Sequence, residues 1–207
     1  MPPSMRRPST IPVFPLDTVL FPGGVLPLRI FETRYLDMVR DCMRDDSGFG
    51  VCRITAGAEV GEPAEHEPIG CLARIHAWDM EQPGVLQIWT RGESRFRIID
   101  REIRPDGLVI ANATWLPEDK DEPLPDEFED CAALLRWIIA DIVEREADPL
   151  RRVVAEPYRF DSLVWVSNRL AEFMPLPSRA KQSMMCADSP LARMTVVRDL
   201  LRRHGAL

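Results

Sequence analysis

Lysine is almost missing from this 207-residue chain: of its 26 basic residues only Lys120 and Lys181 are lysines. A Gly-rich phosphate loop ends in Lys followed by Ser or Thr. Neither lysine has that setting, since Lys120 lies among acids and Lys181 follows Arg179 and Ala180. Long hydrophobic runs are missing too. The best candidate, residues 19–31, is cut by Pro22, Gly23, Gly24, Pro27 and Arg29, whereas a membrane span needs ~18 uninterrupted apolar residues. The opening Met-Pro-Pro-Ser-Met-Arg6-Arg7 has no apolar stretch of ~7–15 residues behind it and does not read as a secretory signal. The expectation is a cytoplasmic protein with no membrane partner.

The sequence also lacks a clustered cysteine framework. Cys42, Cys52, Cys71, Cys131 and Cys186 are widely spread, unlike the close spacing of a disulfide-stapled domain. Cys52, His66, Cys71 and His76 miss the tight Cys-x2–4-Cys knuckle of zinc sites. The cysteines therefore read as small buried apolar residues, and no metal is expected. Excess positive charge is absent as well. Residues 118–130 hold eight acids and one base, and the remainder carries 25 acids and 25 bases. With no basic region to collect phosphates, a nucleic-acid partner is disfavoured.

Catalytic patterns are missing in turn. There is no Gly-x-Ser-x-Gly elbow, His-Glu-x-x-His pair or Gly-x-Gly-x-x-Gly fingerprint. His76 and Asp79 stand three apart in a strand-like stretch and point to opposite faces. Lys181 with Ser178 or Ser183 lacks an oxyanion hole. The acid pairs Glu118/Asp119 and Asp121/Glu122 fall in a solvated, proline-containing segment that gives no burial to shift their pKa. The chain reads as a non-enzyme without a cofactor.

What is present is a strand-rich front and a helical back. Apolar runs and turn residues predict strands over 11–16, 25–31, 49–55, 69–78, 85–89, 96–99 and 108–115, with Pro27 marking an edge or bulge. Tyr35, Leu36, Val39 and Met43 recur at helical spacing within 32–43. The expected division is a β-rich region over 1–117, an acidic linker over 118–125 and a helical bundle over 126–207. In the bundle, Asp126 and Glu129 stand at capping-box spacing. Asp161, Ser178 and Ser189-Pro190 mark further helix starts, and Gly205 marks the last stop.

The hairpin 69–89 carries the most informative face. A turn centred on Gln82-Pro83 pairs Met80 with Val85 and Trp78 with Gln87. Cys71, Ala73 and Ile75 then line an interior with Leu86, Ile88 and Thr90, while His76, Trp78, Trp89 and Arg91 share the outer face. Aromatic and arginine side chains are favoured at protein interfaces, so these four are the candidate protein-binding residues. Cover by the C-terminal helices is the alternative.

The run Phe14-Pro15-Leu16, Phe21-Pro22-Gly23, Leu26-Pro27-Leu28 and Phe31-Glu32-x-Arg34-Tyr35 resembles the opening of the Lon N-terminal, substrate-binding domain. Gly70-x-x-Ala73 and Gly92-x-x-Arg95-Phe96 fall where that family places similar segments. The resemblance implies an α+β fold: a PUA-like β-pseudobarrel with one internal helix, followed by a helical bundle. It also implies recognition of protein substrates, with the motif residues mainly structural. Lon proteases continue into an AAA+ ATPase and a Ser-Lys peptidase, so the expectation is a stand-alone LON-domain protein without either. Its expected partners are protein clients or one partner protein, which it would serve as an adaptor; RNA binding by a PUA-like module and a structural subunit are the alternatives.

Overall fold

A computed structural model describes residues 10–207, the side chain of Glu81 apart. The opening segment with Arg6 and Arg7, and the first nine positions of the expected β-rich region, lie outside the described residues. The front half holds β1 (Thr10–Leu16), β2 (Val25–Ile30), α1 (Thr33–Arg44), β3 (Phe49–Ala56), β4 (Glu65–His66), β5 (Ile69–Gln82), β6 (Val85–Ile103) and β7 (Val109–Trp115). The back half holds α2 (Glu129–Arg145), α3 (Leu163–Phe173), α4 (Ser178–Met185) and α5 (Pro190–Arg203). The protein is mixed α+β, strand-rich in front and helical behind.

The pairings run in a circuit. Strand β1 pairs antiparallel with β7 and parallel with β3, joining the ends of the order β7-β6-β5-β3. Strand β2 lies outside the circuit, on β6 alone, with Pro27 opposite Trp89. Proline cannot donate to a ladder, so it suits this edge. Helix α1 lays Tyr35, Met38, Val39 and Cys42 against Phe14, Phe49 and Ile88. The Tyr35 and Phe14 rings stack at 3.9 Å, a contact worth about 0.5–1.5 kcal/mol beyond burial.

The hairpin register corrects the expectation. The turn lies at Pro83-Gly84, with Gln82 opposite Val85 and Trp78 opposite Ile88. Ile75 pairs with Thr90 and Ala77 with Trp89, so the ladder shifts around His76. One extra residue reverses the facing of everything beyond it. Ala77 and Asp79 thus share the face of Trp89, and Trp78 goes to the face of Ile88.

Helix starts differ locally. A 3-10 turn over Asp126–Phe128 precedes α2, leaving Phe128 at the N-cap without a side-chain bond, so the Asp126/Glu129 box does not form. Ser162, one residue past Asp161, caps α3 by accepting from the Trp165 amide at 3.0 Å. Ser178 is already helical, behind Pro177, and its hydroxyl donates to Asp17. Ser189 and Pro190 start α5 as expected, the Ser189 hydroxyl accepting from the Ala192 amide.

Two segments stitch sheet to helices. After β1 the chain places Val19 and Phe21 in the core that Leu135, Val166, Leu170 and Val197 form. There the Pro22 carbonyl accepts from Arg169, and Gly23 and Gly24 exchange backbone bonds of 2.8 Å with Gly92 of β6. A Cβ on Gly92 would stand 2.2 Å from the Phe21 carbonyl oxygen. Residues 118–125 are held as well: Asp119 joins Arg95 of β6 to Arg193 of α5, and Asp121 accepts from Ser162. The acids of this segment are therefore engaged, Asp119 with only 9% of its side chain exposed.

Candidate protein-binding surface

The β5–β6 hairpin projects past the circuit. Strand β3 pairs with β5 only at Cys71, Leu72 and Ala73. Beyond them, residues 74–82 of β5 meet no other strand on that side among the described residues. An open edge offers backbone donors and acceptors to another extended chain. Trp78 and Met80, 58% and 54% exposed, stand along it.

The opposite face of the hairpin is covered by the α2–α3 loop rather than by a helix. The Trp89 indole N–H donates to the Arg151 carbonyl at 3.0 Å. The Arg151 guanidinium lies 5.4 Å from the Trp89 ring centroid and pairs with Asp79. The ion pair follows from the bulge, which puts Asp79 on the Trp89 side. Trp89 is buried as a result, while Leu150 on the same loop is 55% exposed. The His76 Nε2–H donates to the Leu150 carbonyl at 3.3 Å, and burial pushes the imidazole pKa below its ordinary value. Arg91 lines a cavity of about 270 Å³ under the loop, beside His76.

Of the four expected surface residues, the fold brings His76, Trp89 and Arg91 to the loop-covered side and separates Trp78 from them. Met80 and Leu150 join the exposed apolar set. Met80 was legible two positions after Trp78 in a strand; Leu150 lies in a stretch with no period to read.

The motif residues build the frame. Phe14 and Leu16 pack in the circuit, with Pro15 buried between them. Arg34, buried, donates to the Gly107 and Gly61 carbonyls and pairs with Glu32 at 2.8 Å, tying two turns to the start of α1. Phe31 is exposed beside it. Gly70, Ala73 and Phe96 are buried in the sheet. Phe21, Pro22, Gly23, Gly92 and Arg95 form the stitches already described, Arg95 also donating to the Met185 carbonyl at 2.9 Å.

Cys52 and Cys71 are fully buried, and burial pushes both thiols well above their ordinary range. Among the described residues no group of three or more His, Cys, Asp or Glu side chains stands together as a metal site. Nor is any helix among them long and apolar enough to cross a membrane.

The likeness to known proteins is broad. A crystal structure of a Lon N-terminal domain protein from Xanthomonas campestris matches with a TM-score of 0.73 and 33% identity, over 93% of this chain and 98% of that one. The N-terminal domain of a Mycobacterium avium complex Lon protease shares the fold, with a TM-score of 0.59 and 19% identity over 92% of this chain and 96% of that one. Lon protease 2 of Myxococcus xanthus is 26% identical over 205 residues, covering 95% of this chain and 24% of that protein. Protein cereblon of Gallus gallus is 33% identical over 112 residues, covering 52% of this chain and 24% of that protein. The chain thus spans about a quarter of the length of these curated relatives. Residues 10–203 match the family described as the ATP-dependent protease La (LON) substrate-binding domain, and the chain belongs to that family.

Proposed function

We propose that the protein is a non-catalytic module that recognises exposed segments of protein clients and serves as an adaptor for them. The observation that carries this reading is the open β5 edge bearing Trp78 and Met80, on a domain of a substrate-binding family. An extended client segment gains affinity there from main-chain hydrogen bonds, which are indifferent to sequence, and from apolar contact on alternate residues. Tryptophan is among the residues that concentrate binding energy at interfaces. The non-catalytic part of the reading draws support from Ser178 and Lys181, which are engaged apart: the hydroxyl donates to Asp17 and the ammonium to the Glu172 carbonyl.

Hydrogen exchange with a saturating, permanently unfolded protein tests the site. Slowed exchange confined mainly to residues 74–82 is expected; protection elsewhere, with that edge unchanged, contradicts it.

A further inference from the structure

We propose that Arg151 of the α2–α3 loop is an internal mimic of a client: the Trp89 face of the hairpin is a site for an extended segment bearing an arginine, and the loop occupies that site until a client displaces it. This rests on the reading of the hairpin as a protein-binding element, and it names the ligand chemistry and the regulation of its second face.

The contacts that hold the loop show what the face recognises. The Trp89 indole N–H and the His76 ring donate to two successive carbonyls, those of Arg151 and Leu150. The Arg151 guanidinium lies over the Trp89 ring and pairs with Asp79. Arginine suits these two partners together, since its flat cation stacks on an aromatic face while its N–H groups meet a carboxylate. The Leu150 side chain, by contrast, is exposed. The face therefore reads one guanidinium and two backbone carbonyls, groups that any extended arginine-bearing segment supplies.

The loop is weakly held at this point. Its later part is anchored, with Val154 buried in the helical core and Tyr158 and Phe160 packed against it. Its tip meets the hairpin through polar groups near the surface: the Arg151 and Asp79 side chains are 39% and 34% exposed. Pairs so placed are weak and screened by salt. Arg151 also has a second anion within its own loop, Asp148 at 3.6 Å, so lifting the tip does not strand its charge. Pro27 and Ala77, opposite Trp89 on the two neighbouring strands, share its face and extend the surface there. Ala77 belongs to the unpaired stretch of β5, so a client lying along that edge adjoins this face. A ligand that must displace a seated segment loses apparent affinity in proportion to the time the segment is seated.

The test is anisotropy of a fluorescein-labelled Gly-Ser-Ala-Arg-Ser-Gly peptide, amidated at its C-terminus, set against the same peptide with glutamine for arginine. Arg151→Ala loosens the loop and leaves Trp89, His76 and Asp79 in place, so it is expected to bind the arginine peptide about tenfold tighter than the wild type does. Asp79→Asn should bind the two peptides alike, with circular dichroism unchanged in both variants. Saturating arginine peptide should also speed hydrogen exchange of residues 148–152 in the wild type, a readout that needs no variant. An arginine peptide that Arg151→Ala binds no tighter than the wild type overturns the inference. Equal binding of both peptides to Arg151→Ala overturns it as well, and so does binding to the wild type that leaves the loop's exchange unchanged. If neither peptide binds any form while an unfolded protein still slows exchange at residues 74–82, this inference fails and the protein-binding reading stands. If the unfolded protein also fails to bind, both fall.

Discussion

A Cβ placed on Gly24 would stand 1.8 Å from the Oε1 of Glu172, a residue 148 positions later on α3. The same carboxylate pairs with the buried Arg169 at 2.7 Å and accepts from the Phe21 amide at 3.3 Å. The turn after β1 is thus seated on a buried ion pair, and only a residue without a side chain lets it sit so close.

Gly24→Ala and Gly92→Ala should both destabilise, unequally. At Gly24 the obstacle is the end of a side chain, which can swing aside. At Gly92 it is the Phe21 backbone carbonyl, 2.2 Å away. Overpacking covers a range of about 1–3 kcal/mol; Gly24→Ala belongs near its lower end and Gly92→Ala near its upper end. Urea denaturation reads both, and the reverse order contradicts the stitch.

Stability should fall as pH rises toward neutrality, through Glu172. Burial pushes its carboxyl up to about 7, against the pull of Arg169, from an unfolded value of about 4.3. A carboxyl raised on folding stabilises fully below the unfolded value, and that contribution is lost as pH rises through the folded one. Between about pH 4.5 and 7 the melting temperature of the wild type should therefore drop relative to Glu172→Gln. Parallel curves across that window contradict the assignment.

Asp119→Ala should cost about 3–5 kcal/mol, because it leaves the buried Arg193 without its anion. Adding Arg193→Met should recover part of the loss, since the unpaired charge goes with it. A double variant as unstable as the sum of the singles contradicts the bridge.

These contacts mark the boundary of what the residues disclose on their own. Strands β1 to β3 and helix α1 follow from local apolar spacing, and the Ser189-Pro190 start follows from side chains adjacent in the chain. Asp119 read as a solvated acid because its partner Arg193 lies 74 positions away. The bulge at His76 has no side-chain signature, yet that single extra residue sends Trp78 away from Trp89. The cover over Trp89 comes from an irregular loop, whose backbone carbonyls have no period to read.

The two hairpin tryptophans should differ toward a soluble quencher. Trp78→Phe should lower the iodide-accessible fluorescence, since this side chain is largely exposed, whereas Trp89→Phe should leave it nearly unchanged. An equal fall in both contradicts the loop cover.

The most direct measurement is an anisotropy titration of a labelled, permanently unfolded protein with the wild type, Trp78→Ala and Trp137→Ala. Trp137, even more exposed than Trp78, lies on α2 rather than on the hairpin. Saturable binding is expected, weakened about tenfold by Trp78→Ala, or about 1.4 kcal/mol, and untouched by Trp137→Ala. Binding that ignores Trp78, or none up to ~100 μM, a free energy of only about 5–6 kcal/mol, would contradict client recognition at the hairpin edge.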